Sequence, residues 1–472
     1  MKKYILIILC CLTSFPLWSY NVNMIVEHYS VDQGLPNNTV NCTLKDRDGF
    51  IWFGTWYGLC CFDGVKFKTF NKQEHDSDVP PRKIQRIVED KNGYIWVKTI
   101  DRKLYVFNKV TECFHAVYDD MKNYSENIQV IKLQNTAEGD VLLLTKDKNL
   151  LLAGVDEKGQ VTIKILFDSR NEINKHDYTL KHHVLCETEE YISWIGTDYK
   201  VSAVHKGAEL ASRPADFITS KINSGDKDSF TSFFEDGRKV WVGDRAGIFY
   251  SIDVRTGLVN RYVLSEIKGA ISNLLVTPAG YVYLSVAGQG TYEYDLAERR
   301  LQKINTEMND AMVTHAFIDQ YDKIWFHENE KALIYYDPLN HTAKRFPFTM
   351  FGKITTLYSE DAGERGLFFL SPAGEAWLFD REHAEMVYIN KLKQLSNDRA
   401  NQQFYHLMLD NDGVLWLSSA DEGVYCMNFP KKQFNLLSLS PQSVGQENYA
   451  TGVRALFQSK SGDIWVGTRW QS

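Results

Sequence analysis

The sequence predicts an all-β protein made of β-propeller blades, and three observations favour this fold class. A tryptophan or another large apolar residue returns every 42 to 52 residues or so, usually after a turn and inside an alternating apolar run. Repeats of roughly 40–50 residues with strand signals throughout are typical of propeller blades. Aromatic residues make up 13% of the chain, which favours strands, and no segment shows sustained helical periodicity. The repeat anchors that are tryptophan are Trp52, Trp96, Trp194, Trp241, Trp325, Trp416 and Trp465.

The first repeat gives the template for a four-stranded antiparallel blade. Its predicted strands A to D are residues 40–45, 50–55, 59–63 and 66–70, joined by short turns rich in Asp and Gly. An acidic residue followed by Gly between alternating apolar runs is a hairpin signal. Later repeats follow the same order, so every blade is expected to be one up-and-down sheet.

The repeat count predicts more than one ring. Nine complete repeats and the start of a tenth are present, whereas propellers usually carry four to eight blades. We therefore expect a first seven-bladed propeller over residues 21–340 and a partial second propeller over residues 341–472, with the chain being part of a longer protein. An additional strand at residues 24–29 precedes the first blade. We expect it to close the first ring beside strand C of the seventh repeat, displacing the strand near residues 342–348.

The N-terminus and the charge balance bear on location and partners. Lys2 and Lys3 precede an apolar run, and small residues follow it, as in a secretory signal peptide over residues 1–20. The sequence thus predicts export to the periplasm. The net charge is −7 and no basic run occurs, so nucleic acid is not an expected partner.

No cofactor, metal or catalytic residue is predicted. The six cysteines after the signal peptide lack C-x-x-C spacing and stand mostly in apolar strands, where cysteine acts as a small buried hydrophobe. Their disulfide state is left open. His182 and His183 are adjacent in a strand and point to opposite faces, which disfavours a shared metal. Motifs of hydrolases, metalloproteases and phosphate-binding loops are missing from the sequence.

The first repeat resembles a known family. Gly34 to Val40, Asp48 to Thr55 and Gly58 to Gly64 look like the two-component regulator propeller repeat. The resemblance implies the periplasmic sensor region of a hybrid two-component histidine kinase, in which two seven-bladed propellers precede a β-sandwich, a membrane helix, a kinase and a DNA-binding regulator. It also implies an oligosaccharide ligand and the remainder of the kinase chain as partners. A homodimer is left open, and no ligand residue can be carried over.

Ligand-binding candidates lie between strands B and C, where residues do not recur with the repeat. In a four-stranded blade these loops emerge on one face with the D–A loops, around the mouth of the central channel. Aromatic rings suit the C–H face of a sugar, and charged or amide groups suit its hydroxyls. Solvated loops or a contact between propellers are the alternative. The candidates are Trp56, Tyr57, Arg102, Tyr199, Arg245 and Gln289.

Acidic residues permit an alternative function. Those in the A–B turns recur with the repeat and are interpreted as turn formers: Asp46, Asp48, Asp90, Asp410 and Asp412. Those in the B–C loops could serve an exported propeller glycoside hydrolase or lyase: Asp101, Asp198, Asp244 and Asp421. A structural propeller that only binds proteins is a third function class. We favour the sensor because the repeat itself resembles that family.

Overall fold

The structure of the protein is a computed structural model. It describes residues 25–70, 80–122, 129–147, 149–168, 180–188, 190–196, 200–207, 217–221, 230–304, 313–328, 331–351, 358–361, 363, 366–371, 375–391, 404–428, 452–459 and 464–469. These residues divide into two compact units, one up to Asn428 and one from Phe429 onward. The first unit holds nine four-stranded antiparallel sheets and the second holds one two-stranded sheet.

Within these residues, helix is confined to α1 (Tyr118–Met121) and two 3-10 helices, Val31–Gln33 and Phe348–Phe351. The strands of the first four sheets, preceded by an additional strand, are β1 (Ile25–Tyr29); β2 (Val40–Lys45), β3 (Ile51–Thr55), β4 (Gly58–Phe62) and β5 (Phe67–Phe70); β6 (Ile84–Glu89), β7 (Ile95–Thr99), β8 (Leu104–Asn108) and β9 (Cys113–Ala116); β10 (Val130–Asn135), β11 (Val141–Thr145), β12 (Leu150–Val155) and β13 (Val161–Phe167); β14 (Leu180–Glu187), β15 (Tyr191–Gly196), β16 (Lys200–His205) and β17 (Phe217–Lys221). 

The remaining strands are β18 (Phe230–Glu235), β19 (Lys239–Asp244), β20 (Ile248–Asp253) and β21 (Val259–Val263); β22 (Ile271–Val276), β23 (Tyr281–Val286), β24 (Gly290–Asp295) and β25 (Arg300–Lys303); β26 (Val313–Ile318), β27 (Ile324–Glu328), β28 (Ala332–Asp337) and β29 (Thr342–Pro347); β30 (Tyr358–Asp361), β31 (Leu367–Leu370), β32 (Glu375–Asp380) and β33 (Glu385–Lys391); β34 (Phe404–Leu409), β35 (Leu415–Ser419) and β36 (Val424–Asn428); and, in the second unit, β37 (Gly452–Gln458) and β38 (Ile464–Arg469). We number the nine sheets of the first unit as blades 1 to 9 in this order. The all-β propeller class predicted from the sequence is confirmed.

An aspartate organises the A–B turn of five blades and is buried in four of them. In blade 1, Asp46 accepts backbone N–H groups from Asp48 and Phe50 at 3.0 and 2.9 Å with one carboxylate oxygen. Its other oxygen accepts the indole N–H of Trp52 at 2.8 Å. The same indole-to-carboxylate bond recurs at 2.7 to 3.2 Å in four more blades, from Trp96 to Asp90, Trp241 to Asp236, Trp325 to Asp319 and Trp416 to Asp410. One side chain therefore shapes the turn and fixes the anchor tryptophan of strand B.

The sequence predicts that the seven anchor tryptophans form inter-blade cores, and the structure shows this for five of them. These five are buried: Trp52, Trp96, Trp241, Trp325 and Trp416. Trp52, for example, packs with Ile95 and Phe107 of the next blade. The prediction is wrong for Trp465, which is 66% exposed in the two-stranded sheet of the second unit, a sheet too small to bury it. The side chain of Trp194 lies outside the described residues.

The glycine of the Trp-x-Gly-Thr motif is required by close packing. A Cβ atom added to Gly54 would lie 2.4 Å from the Cys42 sulfur and 2.6 Å from Ile84 of blade 2. A Cβ atom added to Gly243 would lie 2.4 Å from the Ser232 hydroxyl and 2.7 Å from Ile271 of blade 6. Because real Cβ atoms essentially never approach so closely, the small residue lets strand B pack against strand A of its own and of the next blade.

Strand β1, the first strand of the first unit, pairs with β36, the last strand of the same unit. The pairing is antiparallel, with Glu27 opposite Cys426 and Tyr29 opposite Val424. Blade 9 thus has the order β1-β36-β35-β34, and β1 occupies the position of its fourth strand. Trp416 of blade 9 shares a core with Phe53 and Phe62 of blade 1, and Lys45 of blade 1 contacts Asp410 of blade 9 at 3.4 Å. Blades 1 and 9 are therefore neighbours.

The prediction that β1 closes the ring at the seventh blade is wrong. Strand β28 is already paired with β29, its own partner across a short turn, and β29 is not displaced. The outer edge of β36 takes β1 instead, since no strand that follows β36 in the described chain pairs with it. Blades 8 and 9 lie in the same compact unit as blades 1 to 7.

An engineered disulfide tests this closure. Glu27 and Cys426 are directly opposite in the antiparallel ladder, within the Cα separation that a disulfide spans. We expect Glu27→Cys to form an intramolecular disulfide under mild oxidation, measured as a linked peptide pair by mass spectrometry. The Glu27→Cys, Cys426→Ser double variant is the control. Linkage to another cysteine, or no linkage at all, would contradict the observed pairing.

A second test concerns the buried aspartate of the A–B turn. Asp46→Ala leaves the Trp52 indole and two backbone N–H groups without their acceptor, so we expect a loss of about 3 kcal/mol in the free energy of unfolding. Asp48→Ala, two residues away, removes an exposed ion pair and should cost much less, because solvent screens exposed ion pairs. Chemical denaturation measures both. Equal losses for the two variants would refute the assigned role of Asp46.

Candidate ligand-binding face

The B–C turns are held by the last residue of strand B. In blade 1 the Thr55 hydroxyl donates to the Gly58 carbonyl at 2.8 Å and accepts the Tyr57 N–H at 3.1 Å. Gly58 adopts a φ of 133°, a region that favours glycine. The turn is also tied to the start of strand A, because the Trp56 N–H donates to the Thr39 carbonyl at 3.2 Å. Trp56 and Tyr57 are thus presented on a fixed turn.

Neighbouring blades are joined on this face by backbone hydrogen bonds. The Lys83 N–H donates to the Trp56 carbonyl at 2.9 Å, and the Ile100 N–H donates to the Lys83 carbonyl at 2.9 Å. The next blade repeats the contact, since the Val130 N–H donates to the Arg102 carbonyl at 2.9 Å. The B–C turns of blades 1 and 2 and the segments leading into strand A of blades 2 and 3 therefore lie side by side, as the sequence predicts for one face.

An exposed aromatic and cationic surface results. The Trp56 and Tyr57 side chains are 43% and 62% exposed. The Lys83 ammonium lies 5.3 Å from the centroid of the Trp56 ring, within cation–π range. Arg102, also exposed, follows in the turn of blade 2 with a φ of 69°. We call Trp56, Tyr57, Lys83 and Arg102 the aromatic patch.

The other predicted site residues are dispersed. Gln289 lies in blade 6, where its amide oxygen accepts the Lys268 N–H at 2.7 Å and its nitrogen donates to the Glu266 carbonyl at 3.2 Å. That side chain therefore braces a neighbouring loop. Arg245 is exposed in the turn of blade 5. Tyr199 lies outside the described residues. The structure brings Trp56, Tyr57 and Arg102 to adjacent blades, and places Arg245 and Gln289 in two others.

Blade 2 carries two cations that the sequence reasoning missed. Lys98 occupies the glycine position of Trp-x-Gly-Thr, and Arg86 occupies the strand A position held by Cys42 in blade 1. The two residues are directly opposite in the ladder of β6 and β7. Lys98 is 6% exposed, and its ammonium donates to the Gln85 amide oxygen at 2.5 Å. The departure from the repeat at Lys98 was the sequence signal that could have revealed them.

The electrostatic surroundings of Lys98 differ from those of Lys109 in the same blade. Burial lowers the pKa of Lys98, and the positive charges of Arg102 and Arg86 lower it further. Lys109 shows the opposite behaviour, because its ammonium contacts Asp48, Glu89 and Asp46 at 2.6, 2.8 and 3.1 Å. Those hydrogen bonds raise the pKa of Lys109 despite partial burial, which alone would lower it.

The three carboxylates around Lys109 are the one grouping of metal-ligand type among the described residues. Asp46, Asp48 and Glu89 bring their oxygens within 4.8 Å of one another. The Lys109 ammonium contacts all three, Arg47 also pairs with Glu89, and Asp46 is bound to its turn and to Trp52 as well. This grouping is therefore interpreted as an ion-pair network between blades 1 and 2.

The acidic residues that would support an enzyme are dispersed too. Asp101 and Asp421 lie in the turns of blades 2 and 9, and Asp198 lies outside the described residues. Asp244 is buried in blade 5 and accepts N–H groups of its own turn from Ala246 and Ile248 at 2.9 and 2.8 Å. Burial raises its pKa, although these bonds and Arg261 act against the shift. Asp244 is thus a turn residue.

The turn-forming interpretation holds for Asp46, Asp90 and Asp410, each of which accepts two N–H groups of its turn. Asp48 and Asp412 instead form ion pairs with Lys109 and Lys45. Among the cysteines, Cys42, Cys60, Cys61 and Cys426 are buried and free, and burial raises each thiol pKa to about 12. These four behave as small hydrophobes, as predicted.

Comparison with known proteins identifies the first repeat. Residues 34–57 match the family model described as the two component regulator propeller. The comparison with curated proteins gives no match. In the described residues no helix has both the length and the apolar character needed to span a membrane.

Several solved propeller structures are similar in fold. Two are extracellular domains from B. thetaiotaomicron: that of a protein described as a one-component system, BT4673 (13% identity, TM-score 0.32, 84% of this chain and 65% of that chain), and that of a protein described as a hybrid two-component system, BT3049 (17%, 0.33, 94% and 58%). A third is the Dos1 propeller (12%, 0.44, 85% and 93%). The chain thus spans less than two thirds of the length of the first two domains.

Lys98 forms no ion pair with the residues that the structure describes, and this leads to a prediction about the melting temperature. Lys98→Met removes a buried charge opposite Arg86 and keeps most of the apolar volume, so we expect the melting temperature to rise by about 1–4 °C. Lys109→Met, in the same blade, leaves three carboxylates without their cation and should lower the melting temperature. Calorimetry or thermal-shift measurement compares the two variants. A melting temperature for Lys98→Met below that of the wild type would contradict this account.

Proposed function

We propose that this chain, which carries the two-component regulator propeller repeat, is the exported ligand-binding region of a two-component signalling receptor. In this proposal the propeller binds an oligosaccharide in the periplasm and passes the signal to a kinase in the rest of the protein. The repeat at residues 34–57 supports the sensor assignment. The predicted signal peptide, residues 1–20, supports export.

The aromatic patch is the observation that carries the sugar-binding proposal. Trp56 offers an exposed ring on a turn held by Thr55 and by the next blade, so little backbone conformational entropy is lost on binding. Sugars stack their C–H faces on such rings, while cations and backbone groups at the rim take the hydroxyls. Lys83 and Arg102 supply donors at this rim.

An enzyme is less well supported. Glycoside hydrolysis requires two carboxyl groups within about 5–10 Å of each other. Of the four acids predicted for that role, the three that the structure describes stand in blades 2, 5 and 9, and Asp244 is engaged by its own turn. We accordingly propose that this chain has no hydrolytic activity, which assays of reducing-sugar release from a glycan panel would test.

Ligand binding can be tested with a matched pair of aromatic variants. A thermal-shift screen of the mature chain against neutral and acidic oligosaccharides identifies a ligand, and calorimetry gives its affinity. Trp56→Ala should weaken binding about tenfold or more, since an anchor ring contributes at least about 1.4 kcal/mol. Phe50→Ala alters an exposed ring in the A–B turn of the same blade, at the other end of strand B, and should leave the affinity unchanged.

Two results would count against the proposal. If no oligosaccharide in the panel stabilises the wild-type chain, the sugar-sensing function fails. If Trp56→Ala and Phe50→Ala bind an identified sugar equally well, the aromatic patch is not its site.

A further inference from the structure

Two positions that hold small side chains in blades 1 and 5 hold long cations in blade 2. In blade 1 the pair across β2 and β3 is Cys42 and Gly54, and in blade 5 it is Ser232 and Gly243. At the same place in β6 and β7 the pair is Arg86 and Lys98. Two like charges directly opposite one another on a sheet are destabilising. Blades 3 and 7 also place larger residues at these positions, Lys132 with Leu144 and His315 with His327. What distinguishes blade 2 is the buried Lys98 directly opposite a second cation, the exposed Arg86.

These cations lack the counter-charges that stabilise others in the chain. Within the described residues no ion pair involves Arg86, Lys98 or Arg102, whereas Lys109 of the same blade contacts three carboxylates. The nearest acid in sequence, Asp101, accepts the Thr99 hydroxyl at 2.5 Å and lies 3.5 Å from Lys103. Lys98, though 94% buried, has the neutral Gln85 amide as its hydrogen-bond partner.

A partly buried histidine of blade 9 lies within the electrostatic influence of Arg86. His406 occupies the strand A position equivalent to Arg86, opposite Ser418. Its Nδ1 atom is buried without a hydrogen-bond partner. Burial lowers the pKa of His406 to about 4, and the charge of Arg86 contributes to the shift. His406 is therefore neutral near pH 7, and its ring can donate or accept a hydrogen bond.

We propose that Arg86, Lys98 and Arg102 bind an anionic group of the ligand, a carboxylate or a sulfate ester, beside the sugar ring that stacks on Trp56. This inference rests on the proposed sugar-binding function and narrows it to acidic oligosaccharides. An anion would supply the missing counter-charge to a desolvated lysine, and arginine binds carboxylate and sulfate oxygens in two-pronged fashion. Trp56 and Arg102 are linked through Lys83, whose backbone bonds to both neighbouring turns.

The experiment compares oligosaccharides of equal length that are neutral, contain uronic acid or carry sulfate. We expect one acidic class to bind at least tenfold more tightly than the neutral compound, with an advantage that shrinks as salt rises. The class that binds tighter distinguishes a carboxylate from a sulfate. Arg86→Gln and Lys98→Met should each reduce the affinity for the acidic compound at least tenfold. Lys158→Gln, an exposed charge in a C–D turn of blade 3, is the matched control and should have no effect.

A rescue variant guards against effects on folding. Lys98→Arg keeps the charge and should retain more of the acidic preference than Lys98→Met. Lys98→Met is expected to melt at or above the wild-type temperature, so its loss of binding cannot be ascribed to unfolding. If Lys98→Met and Lys98→Arg reduce the acidic preference equally, charge is not what the site uses and the inference is overturned.

Failure of this inference is distinguishable from failure of the proposed function. Equal affinities for neutral and acidic compounds, with binding still dependent on Trp56, would overturn the anion site and leave the sugar-binding proposal standing. If no sugar binds, inorganic sulfate serves as the probe. Stabilisation of the wild type by millimolar sulfate that Arg86→Gln abolishes would support the anion site on its own, and no stabilisation would overturn it.

Discussion

The interaction on which the other parts of the blade depend is the bond between an A–B turn aspartate and the indole of strand B. One carboxylate satisfies two turn N–H groups and one buried N–H, so it fixes the hairpin and the core side chain together. In three blades the same carboxylate also receives a cation from a neighbouring blade: Lys109 at Asp46, Arg381 at Asp319 and Lys45 at Asp410. In these blades one carboxylate thus shapes the local turn, fixes the core side chain and forms a contact with the neighbouring blade.

Two of the blades without this bond change both of its members. In blade 3 the turn residue is Thr136 and the anchor is Leu142, while in blade 6 they are Thr277 and Tyr283. The threonine hydroxyls still accept the N–H groups of Asp140 and Tyr281 at 3.1 and 3.2 Å. Leu142 has no N–H to bury, so the second carboxylate oxygen is no longer needed there. Blade 4 keeps its tryptophan, Trp194, while its turn residue is Thr188, whose hydroxyl accepts the Tyr191 N–H at 3.1 Å. The aspartate and the bonded indole thus occur together in five blades, and a threonine holds the turn in blades 3, 4 and 6.

The sequence was sufficient for the features that depend on local chemistry and insufficient for those that depend on choosing among equivalent partners. Strand order, A–B turns and the burial of five anchors follow from alternation, Asp-Gly turns and Trp spacing. The closure does not, because every strand C offers a similar apolar edge and β1 carries no feature that selects one of them. Its observed partner is strand C of blade 9, beside Gly423, whose φ is 88° and whose added Cβ would lie 2.1 Å from the Tyr29 carbonyl oxygen. That close approach appears only once the two ends meet.

The residues of the candidate site also divide into those that the sequence predicts and those that it does not. Trp56 and Arg102 stand out in the sequence because they fall between strands, where the repeat imposes little. Lys98 was overlooked because it lies inside a strand, at a position that is glycine in blades 1 and 5. The position varies among other blades, with Leu144 in blade 3, Ser285 in blade 6 and His327 in blade 7, so size alone does not distinguish Lys98. Its distinguishing feature is a buried charge directly opposite a second cation, Arg86, and packing does not explain that arrangement. Function is then the more economical explanation, and in this chain the departure lies next to the exposed aromatic patch.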